Sequence, residues 1–428
     1  KVKMQVVSQA KPKPNKLSLQ LVFSCFLASL LEIYDFAIFG FFSSTIYKNY
    51  LSFLDTSTAL IVTYAFFAIG FVFRPLGSLI FGYIGDVRGR KIALVTSVSM
   101  MGLASFIMFA LPPYSMIGIL SCYLIVLVRI AQGISVGGEF TGAIIFAIEH
   151  SKENRVGQVA AIISAGGACG VMLANFVSKI LTLPYLPNYS WRLAFLIGFT
   201  LSIVGYFIRK NLTESPVFKR DRKVKIPLFE GVRNYKVECL GAFTSSAANG
   251  VVFYFGSVYL YKLVSEVRGD GDYTYIPILV SFTVALLLPF FGMIADKVNR
   301  SLYLMISSFI MAIYSVSVIK NVIYSENTMI LNLGIFVYAV IASMMVSGIN
   351  IFAVENFPTE YRMSSSSLFY SLGMGFIGGT VPMVASFIVN NYTDSVKYIT
   401  YYIGIICLFA SLGALLAYFK RKKHICII

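Results

Sequence analysis

The chain has 428 residues, 57% of them hydrophobic and only 13% charged, with a mean hydropathy of +0.78. Soluble domains carry about 25% charged residues, so a soluble fold is excluded and a polytopic membrane protein is expected. The formal charge of +16 invites a nucleic-acid partner, but the basic residues cluster at the ends of apolar runs. There they mark orientation and contact with anionic headgroups, so the partner read from them is the lipid bilayer and no nucleic acid.

In chain order, a basic segment over 1–17 precedes apolar runs near 18–42, 57–81, 92–111, 115–148, 156–181 and 190–208. The first run is too long for the apolar core of a signal peptide, so no cleavable signal is expected. A polar stretch over 209–236, with Pro216 and Pro227, reads as a linker lying along one face. Six more runs follow near 237–262, 274–295, 302–320, 329–353, 364–389 and 398–419, and a basic tail covers 420–428. Each run is long enough for a helix to cross ~30 Å of hydrocarbon. The expected fold is all-α: twelve transmembrane helices in two six-helix bundles, 18–208 and 237–419. An even number of crossings puts both termini on one side. Most Lys and Arg lie on that side, leaving Lys48, Lys179, Arg192, Lys262, Arg268, Lys320 and Lys397 opposite. Both termini are therefore expected in the cytoplasm.

Five of the six cysteines, Cys25, Cys122, Cys169, Cys239 and Cys407, lie inside apolar runs, and Cys426 is in the tail. None has metal-ligand spacing, and they read as small core residues. His150 and His424 fall at run ends beside charged residues and read as interfacial.

The short charged stretches repeat. "GYIGDVRGRK" at 82–91 follows the second run of the first half, and "GMIADKVNR" at 292–300 follows the second run of the other. Gly82 and Asp86 thus correspond to Gly292 and Asp296, while Glu149 with Arg155 is echoed by Glu355 with Arg362. Paired signals in corresponding loops indicate a duplicated six-span unit. Gly85 and Gly89 suit a tight turn, and Asp86 is placed to meet a helix N-terminus or an arginine across the halves. Arg90 and Lys91 would anchor the next span. A positive-inside turn without a gating role explains the stretch equally well.

"GYIGDVRGRK" resembles the signature loop between spans two and three of the major facilitator superfamily. "LEIYDF" (31–36), "FRPLGSLIFGYIGD" (73–86), "RIAQGISVGGE" (129–139), "WR" (191–192), "ESPVF" (214–218) and "ENFPTEYR" (355–362) resemble its bacterial metabolite:proton symporter branch. That branch includes proline/betaine, 2-oxoglutarate, citrate and shikimate carriers, and the resemblance covers nearly the whole chain. The loop at 292–300 departs from the pattern, with Asn299 and Arg300 in place of Gly-Arg-Lys. Osmosensing proline/betaine carriers add a C-terminal coiled coil that "YFKRKKHICII" does not resemble, so activation by that device is not expected.

Ionisable residues inside spans are costly to hold there and are functional candidates by default. Glu32 and Asp35 lie in the first span, Arg74 in the second, and Arg129 and Glu139 in the fourth, whereas spans seven to twelve hold none away from their ends. Three carboxylates face two guanidiniums, so one acid lacks a cation and is expected to bind a proton. Glu32 and Asp35, three apart, are expected on one helical face; Asp35 is the favoured proton carrier, with Arg129 paired to a span-one acid. A static brace is the alternative. Arg74, before the kink expected at Pro75, suits a substrate carboxylate, or else pairs with an acid or the signature loop. Tyr34, Asn249, Tyr254 and Asn350 complete the candidate substrate contacts. Gating is assigned to Gly82, Asp86, Arg90, Glu139, Glu149, Arg155, Asp296, Glu355 and Arg362. Gly133, Gly137, Gly138 and Gly142, with Gly166, Gly167 and Gly170, read as close-packing positions, and Trp191 with Arg192 as an interfacial anchor.

The resulting expectation is a symporter of the bacterial inner membrane. It would import a small carboxylate-bearing solute with protons, by rocking around a midplane site. No cofactor or metal is expected, the proton gradient supplies the energy, and no obligate protein partner is implied. With no phosphate-cradling G-x-x-x-x-G-K-[ST] loop and no nucleophile–base grouping, a primary pump and an enzyme are disfavoured. A neutral-solute carrier or exchanger of the same superfamily, and a non-transporting nutrient sensor, are the rivals.

Overall fold

The computed structural model describes residues 19–218, 227–269 and 271–425, and every described regular element is a helix. The N-terminal segment over 1–17, linker residues 219–226 and the tail end from 426 lie outside the described residues.

Among the described residues, eleven helices are long and apolar enough to cross a membrane. In the first half, α1 is Leu19–Phe41, α2 comprises Thr56–Val72 and Arg74–Val87, and α3 is Arg90–Ala110. Then come α4, Leu120–His150, α5, Val156–Leu181, and α6, Arg192–Lys210. The expected seventh span, α7, runs through Lys236–Tyr254, Phe255–Tyr259 and Leu260–Arg268; it is helical but less apolar than the others. Its middle holds Ser245, Ser246 and Asn249, all buried against other helices rather than offered to lipid. The series closes with α8, Ile276–Ala295; α9, Arg300–Tyr324; α10, Thr328–Glu355; α11, Arg362–Asn391; and α12, Ser395–Ile425.

Three segments widen from α to π-helical turns: Phe255–Tyr259 in α7, Ser315–Ile319 in α9 and Leu372–Gly378 in α11. All three fall in the second half. The first half has a different irregularity. Its second span breaks at Phe73, one residue before Arg74 and two before Pro75, the expected kink.

The signature stretch is less of a loop than the sequence suggests. Helix α2 continues to Val87 and α3 restarts at Arg90, leaving Arg88 and Gly89 between them. Only Gly89 needs a glycine backbone, with φ +123°; Gly85 is helical and is small because Met363 presses on it. Small residues also bring α4 onto α2 and α5 onto α1: Gly133 faces the Gly70 carbonyl, Gly137 that of Arg74, and Gly166 and Gly170 those of Phe26 and Leu30. An apolar cluster then joins the halves at the face carrying the α2–α3 turn, where Phe81, Ala143 and Ile163 pack with Ile351, Val354 and Met363.

Candidate functional site: a cavity between the halves above a sealed face

Three levels of contact stack inward from the turn face. At the face, Asp86 accepts backbone N–H bonds from Met363 and Ser364 at the start of α11, at 3.1 and 2.8 Å, and is bound by Arg90 at 2.8 Å. Asp296 repeats this with the start of α5: Gly157 N–H at 2.6 Å, Gln158 N–H at 2.9 Å, and Arg300 at 3.3 Å. Each carboxylate therefore satisfies free N–H groups and the positive end of a helix dipole in the opposite half. Gly82 lets α2 touch the Ser364 backbone, and Gly157 and Gly292 face each other across α5 and α8.

Glu149 binds Arg362 across the halves at 3.1 Å, lies 3.5 Å from Arg90 Nε, and accepts from Ser215 Oγ at 2.5 Å. Arg90 also donates to the Thr359 carbonyl across the halves at 2.7 Å. In the second half Glu355 pairs with Arg300. Arg155 does not complete the expected symmetry. It is exposed before α5 and forms no ion pair with a described side chain, because its equivalent acid, Glu355, already faces Arg300. Two residues of the "ESPVF" motif that sequence reasoning left without a role also act here. Glu214 accepts from the Arg90 and Lys91 N–H groups, capping α3, and Ser215 reaches Glu149.

Above the face, hydroxyl and amide pairs cross the interface: Thr141 to Ser367 at 2.6 Å, Ser78 to Ser371 at 2.6 Å, and Asn350 to Ser164 at 2.6 Å. Over them lies a cavity of about 60 Å³ measured by the centre of a water-sized sphere, where one water needs ~10–15 Å³. Both halves line it: Ser29, Glu32, Arg74, Phe140 and Ser164 on one side, and Asn249, Ser281, Tyr338, Asn350 and Tyr370 on the other. Phe140 stacks on Tyr370 at 5.2 Å, and Asn249 donates to the Tyr370 hydroxyl at 3.1 Å.

The charges sort themselves differently from the sequence expectation. Arg74 pairs with Glu32 on the cavity wall, one of the alternatives left open for it. Glu32 Oε2 and Arg74 Nε have no hydrogen-bond partner in the protein. Asp35 faces away from the cavity into the first bundle, where Ser105 Oγ donates to Oδ2 at 2.5 Å and Oδ1 abuts Gly198. Glu32 and Asp35 therefore do not share a hydrogen-bond partner: a spacing of three separates them by about 60° around the helix, enough to send one to α2 and the other to α3 and α6.

Arg129 is not ion-paired to a span-one acid, contrary to expectation. Its guanidinium sits 4.4–5.6 Å from the ring centroids of Phe36, Phe39 and Phe67, and donates to the Phe66 and Phe67 carbonyls and, at 2.7 Å, to Gln132. Carbonyls and ring faces satisfy its fork in place of a carboxylate, although Asp35 is near enough to interact with it electrostatically. Glu139, expected at the inner gate, bonds Arg209 at 3.0 Å within the first bundle and crosses to nothing in the second. The linker boundary at 209 assigns Arg209 to the polar stretch, since a basic residue at the end of a run reads as a positive-inside anchor.

Of the remaining candidates, Asn249 and Asn350 line the cavity as expected. Tyr34 does not: its hydroxyl donates to the Ala194 carbonyl at 2.8 Å inside the first bundle. Tyr254 lies beside Arg74 and edge-on to Phe71 at 5.6 Å and is not among the residues lining the cavity. Arg192 reaches the Leu111 carbonyl at 2.5 Å and Tyr50 at 3.3 Å, fastening the outer end of α3 to α6.

Comparison with known proteins gives this arrangement its context. The family model of the Major Facilitator Superfamily matches residues 25–381. The chain is 27% identical over 388 residues to a proline/betaine transporter of Salmonella typhimurium (strain LT2), covering 86% of this chain and 77% of that one. It is 27% identical over 382 residues to the inner membrane metabolite transport protein YhjE of Escherichia coli (strain K12), covering 86% and 87%. Among solved structures, the proton:xylose symporter XylE bound to 6-bromo-6-deoxy-D-glucose superposes with a TM-score of 0.73 at 17% identity, over 92% of this chain and 94% of that one. This likeness is one of fold. Two six-helix halves locked by paired carboxylate-to-helix contacts, with a cavity between them, are thus matched by sequence over most of the chain: the protein is a multi-pass membrane transporter of the Major Facilitator Superfamily, not an enzyme.

Proposed function

We propose that the protein is a proton-coupled symporter that imports a small carboxylate-bearing solute by alternating access, in the bacterial inner membrane with both termini cytoplasmic. The observation that carries this reading is the distribution of charge around the cavity. Arg74, held by Glu32, is the cation on the wall, and Asp35 is buried one turn away with a hydroxyl as its only hydrogen-bond partner.

The Arg74 fork can take a substrate carboxylate bidentately. Binding there competes with Glu32, so the incoming anion is favoured when Glu32 is neutralised by a proton or by a cationic group on the same solute. One cation and one anion on the wall suit a zwitterion such as proline or betaine better than a dianion, whose second charge would face Glu32. Phe140, Tyr338 and Tyr370 supply ring faces for an alkylated ammonium. The relatives named as proline/betaine transporters agree with this choice. A protonated Asp35 is neutral and can cross with the loaded carrier, releasing its proton when the bundle rearranges. In this structure the turn face is closed by the Asp86 and Asp296 contacts.

A neutral-solute carrier is the second reading. It is favoured by the amide and hydroxyl lining of the opposite wall and by the prior engagement of Arg74 with Glu32. Uptake into proteoliposomes under an inward pH gradient separates the two, using proline, betaine, 2-oxoglutarate, citrate, shikimate and a hexose with and without an uncoupler. Uncoupler-sensitive accumulation of a carboxylate solute is the expected result. Accumulation of the hexose alone would replace the first reading with the second.

A further inference from the structure

The first bundle contains a buried polar stripe that the cavity does not use. On α3, Ser97, Met101 and Ser105 are spaced four apart and buried; on the facing side of α4, Ser135 and Glu139 are likewise four apart and buried. Contacts run its length. Ser105 joins Asp35 at 2.5 Å and the Met101 carbonyl at 3.1 Å, Ser135 meets the Met101 sulfur at 3.6 Å, and Ser97 adjoins Glu139. Arg209 ends it, bonding Glu139 at 3.0 Å and the Leu94 carbonyl at 2.9 Å, beside the turn face.

Several polar atoms along this stripe have no hydrogen-bond partner in the protein: Asp35 Oδ1, Gln132 Nε2, Glu139 Oε2 and Arg209 Nη2. Buried polar atoms rarely stay unsatisfied; ordered water normally serves them. The charged and titratable groups facing the stripe are few. Asp35 bonds Ser105 from α3 and lies within electrostatic reach of Tyr34, Arg129 and Glu139; Glu139 bonds Arg209 from α6 and lies within the same reach of Glu32 and Asp35 from α1, as Cys25 does of Arg209. No equivalent is found in the second half, where the described buried polar side chains are uncharged.

We propose that this stripe is a proton route leading from Asp35 through Glu139 to the turn face, inside the first bundle and separate from the substrate cavity. A proton leaving the Asp35 carboxyl passes along hydrogen-bonded water to Glu139 Oε2. Asp35 becomes a carboxylate and Glu139 an acid, its pair with Arg209 loosens, and the proton then passes to water at the turn face while Glu139 and Arg209 re-form their pair. Proton and solute would share one conformational cycle but not one passage.

The proposal rests on Asp35 carrying the coupled proton, and the experiment keeps the two claims apart. In proteoliposomes, Glu139→Gln and Asp35→Asn are compared for solute exchange, which moves no net proton, and for uphill uptake with substrate-evoked proton flux. Glu139→Gln should keep exchange within about twofold and lose at least tenfold in uphill uptake and proton flux. Since that variant leaves Arg209 buried without its partner, Glu139→Gln/Arg209→Gln is measured beside it and should behave the same way. Uphill uptake preserved in Glu139→Gln but lost in Asp35→Asn overturns the route alone. Uphill uptake preserved in Asp35→Asn overturns the coupling role beneath it. Loss of exchange in both Glu139 variants makes the Glu139–Arg209 pair a brace and likewise overturns the route.

Discussion

The two halves share a fold and differ in where they bury charge. In the first, Glu32, Asp35, Arg74, Arg129, Glu139 and Arg209 are all buried; in the second, the described buried polar residues are serines, threonines, asparagines and tyrosines. Conversely, the three π-helical segments belong to the second half. Duplication of one unit has left buried charge in one copy and π-helical backbone in the other. Removing one partner of a buried charge is strongly destabilising, which resists local rearrangement, whereas π-turns often sit at functional positions within otherwise regular helices.

The sharpest way to break this comparison is Asp35→Asn. Solute accumulation driven by a pH gradient should fall at least a hundredfold while exchange survives, and no single substitution of a buried polar residue in α7–α12 should uncouple in that way. A C-half variant that exchanges but cannot accumulate would end the division of labour. Next in size, Arg74→Lys should raise the KM for a carboxylate solute about tenfold or more, because a point charge replaces a fork. Asn249→Ala on the opposite wall, removing one neutral hydrogen bond of ~1 kcal/mol, should raise it about fivefold. Equal losses for uncharged solutes in both variants would point to folding instead.

The two locks at the turn face allow a finer comparison. Asp86 and Arg90 are almost wholly buried, with side-chain exposures of 0% and 1%, whereas Asp296 and Arg300 are 5% and 20% exposed. Asp86→Ala should therefore open the turn face more than Asp296→Ala, read as labelling of cysteines placed there. A tenfold against a threefold rise is the expected order, and a reversal would show that exposure does not rank the locks. The smallest effect belongs to Arg155→Ala. The residue is solvated and should stay within about 0.5 kcal/mol of the unaltered protein in stability, with transport changed less than twofold.

Much of this is legible in the sequence. Run lengths gave the spans, repetition gave the two halves, and the cost of burying charge singled out Glu32, Asp35, Arg74, Arg129 and Glu139. The sequence could not assign partners across helices. A helical period tells which residues share a face but not which neighbour that face meets, so Arg129 was matched to an acid when aromatic rings and carbonyls hold it. Arg209 was missed for a related reason: a basic residue at a run end looks solvated until another helix is found to bring Glu139 to it. Ser105 and Tyr370 carried no signal at all, since a lone serine or tyrosine in an apolar run is ordinary. Glu214 and Ser215 stood inside a recognised motif, and only its role was unread.

The π-turn at Leu372–Gly378 has a mechanical corollary. It lies where α11 passes the Arg74 side chain and the Phe71 carbonyl, both within 4 Å of where a Gly375 side chain would begin. Such a turn stores one extra residue relative to an α-helix. Sliding that surplus along α11 would spin the intervening stretch by about 100° and advance it ~1.5 Å, as a ratchet indexes by one tooth. Half a helix would thus present a new set of side chains to Arg74 while its start, held at Met363 and Ser364 by Asp86, keeps its place.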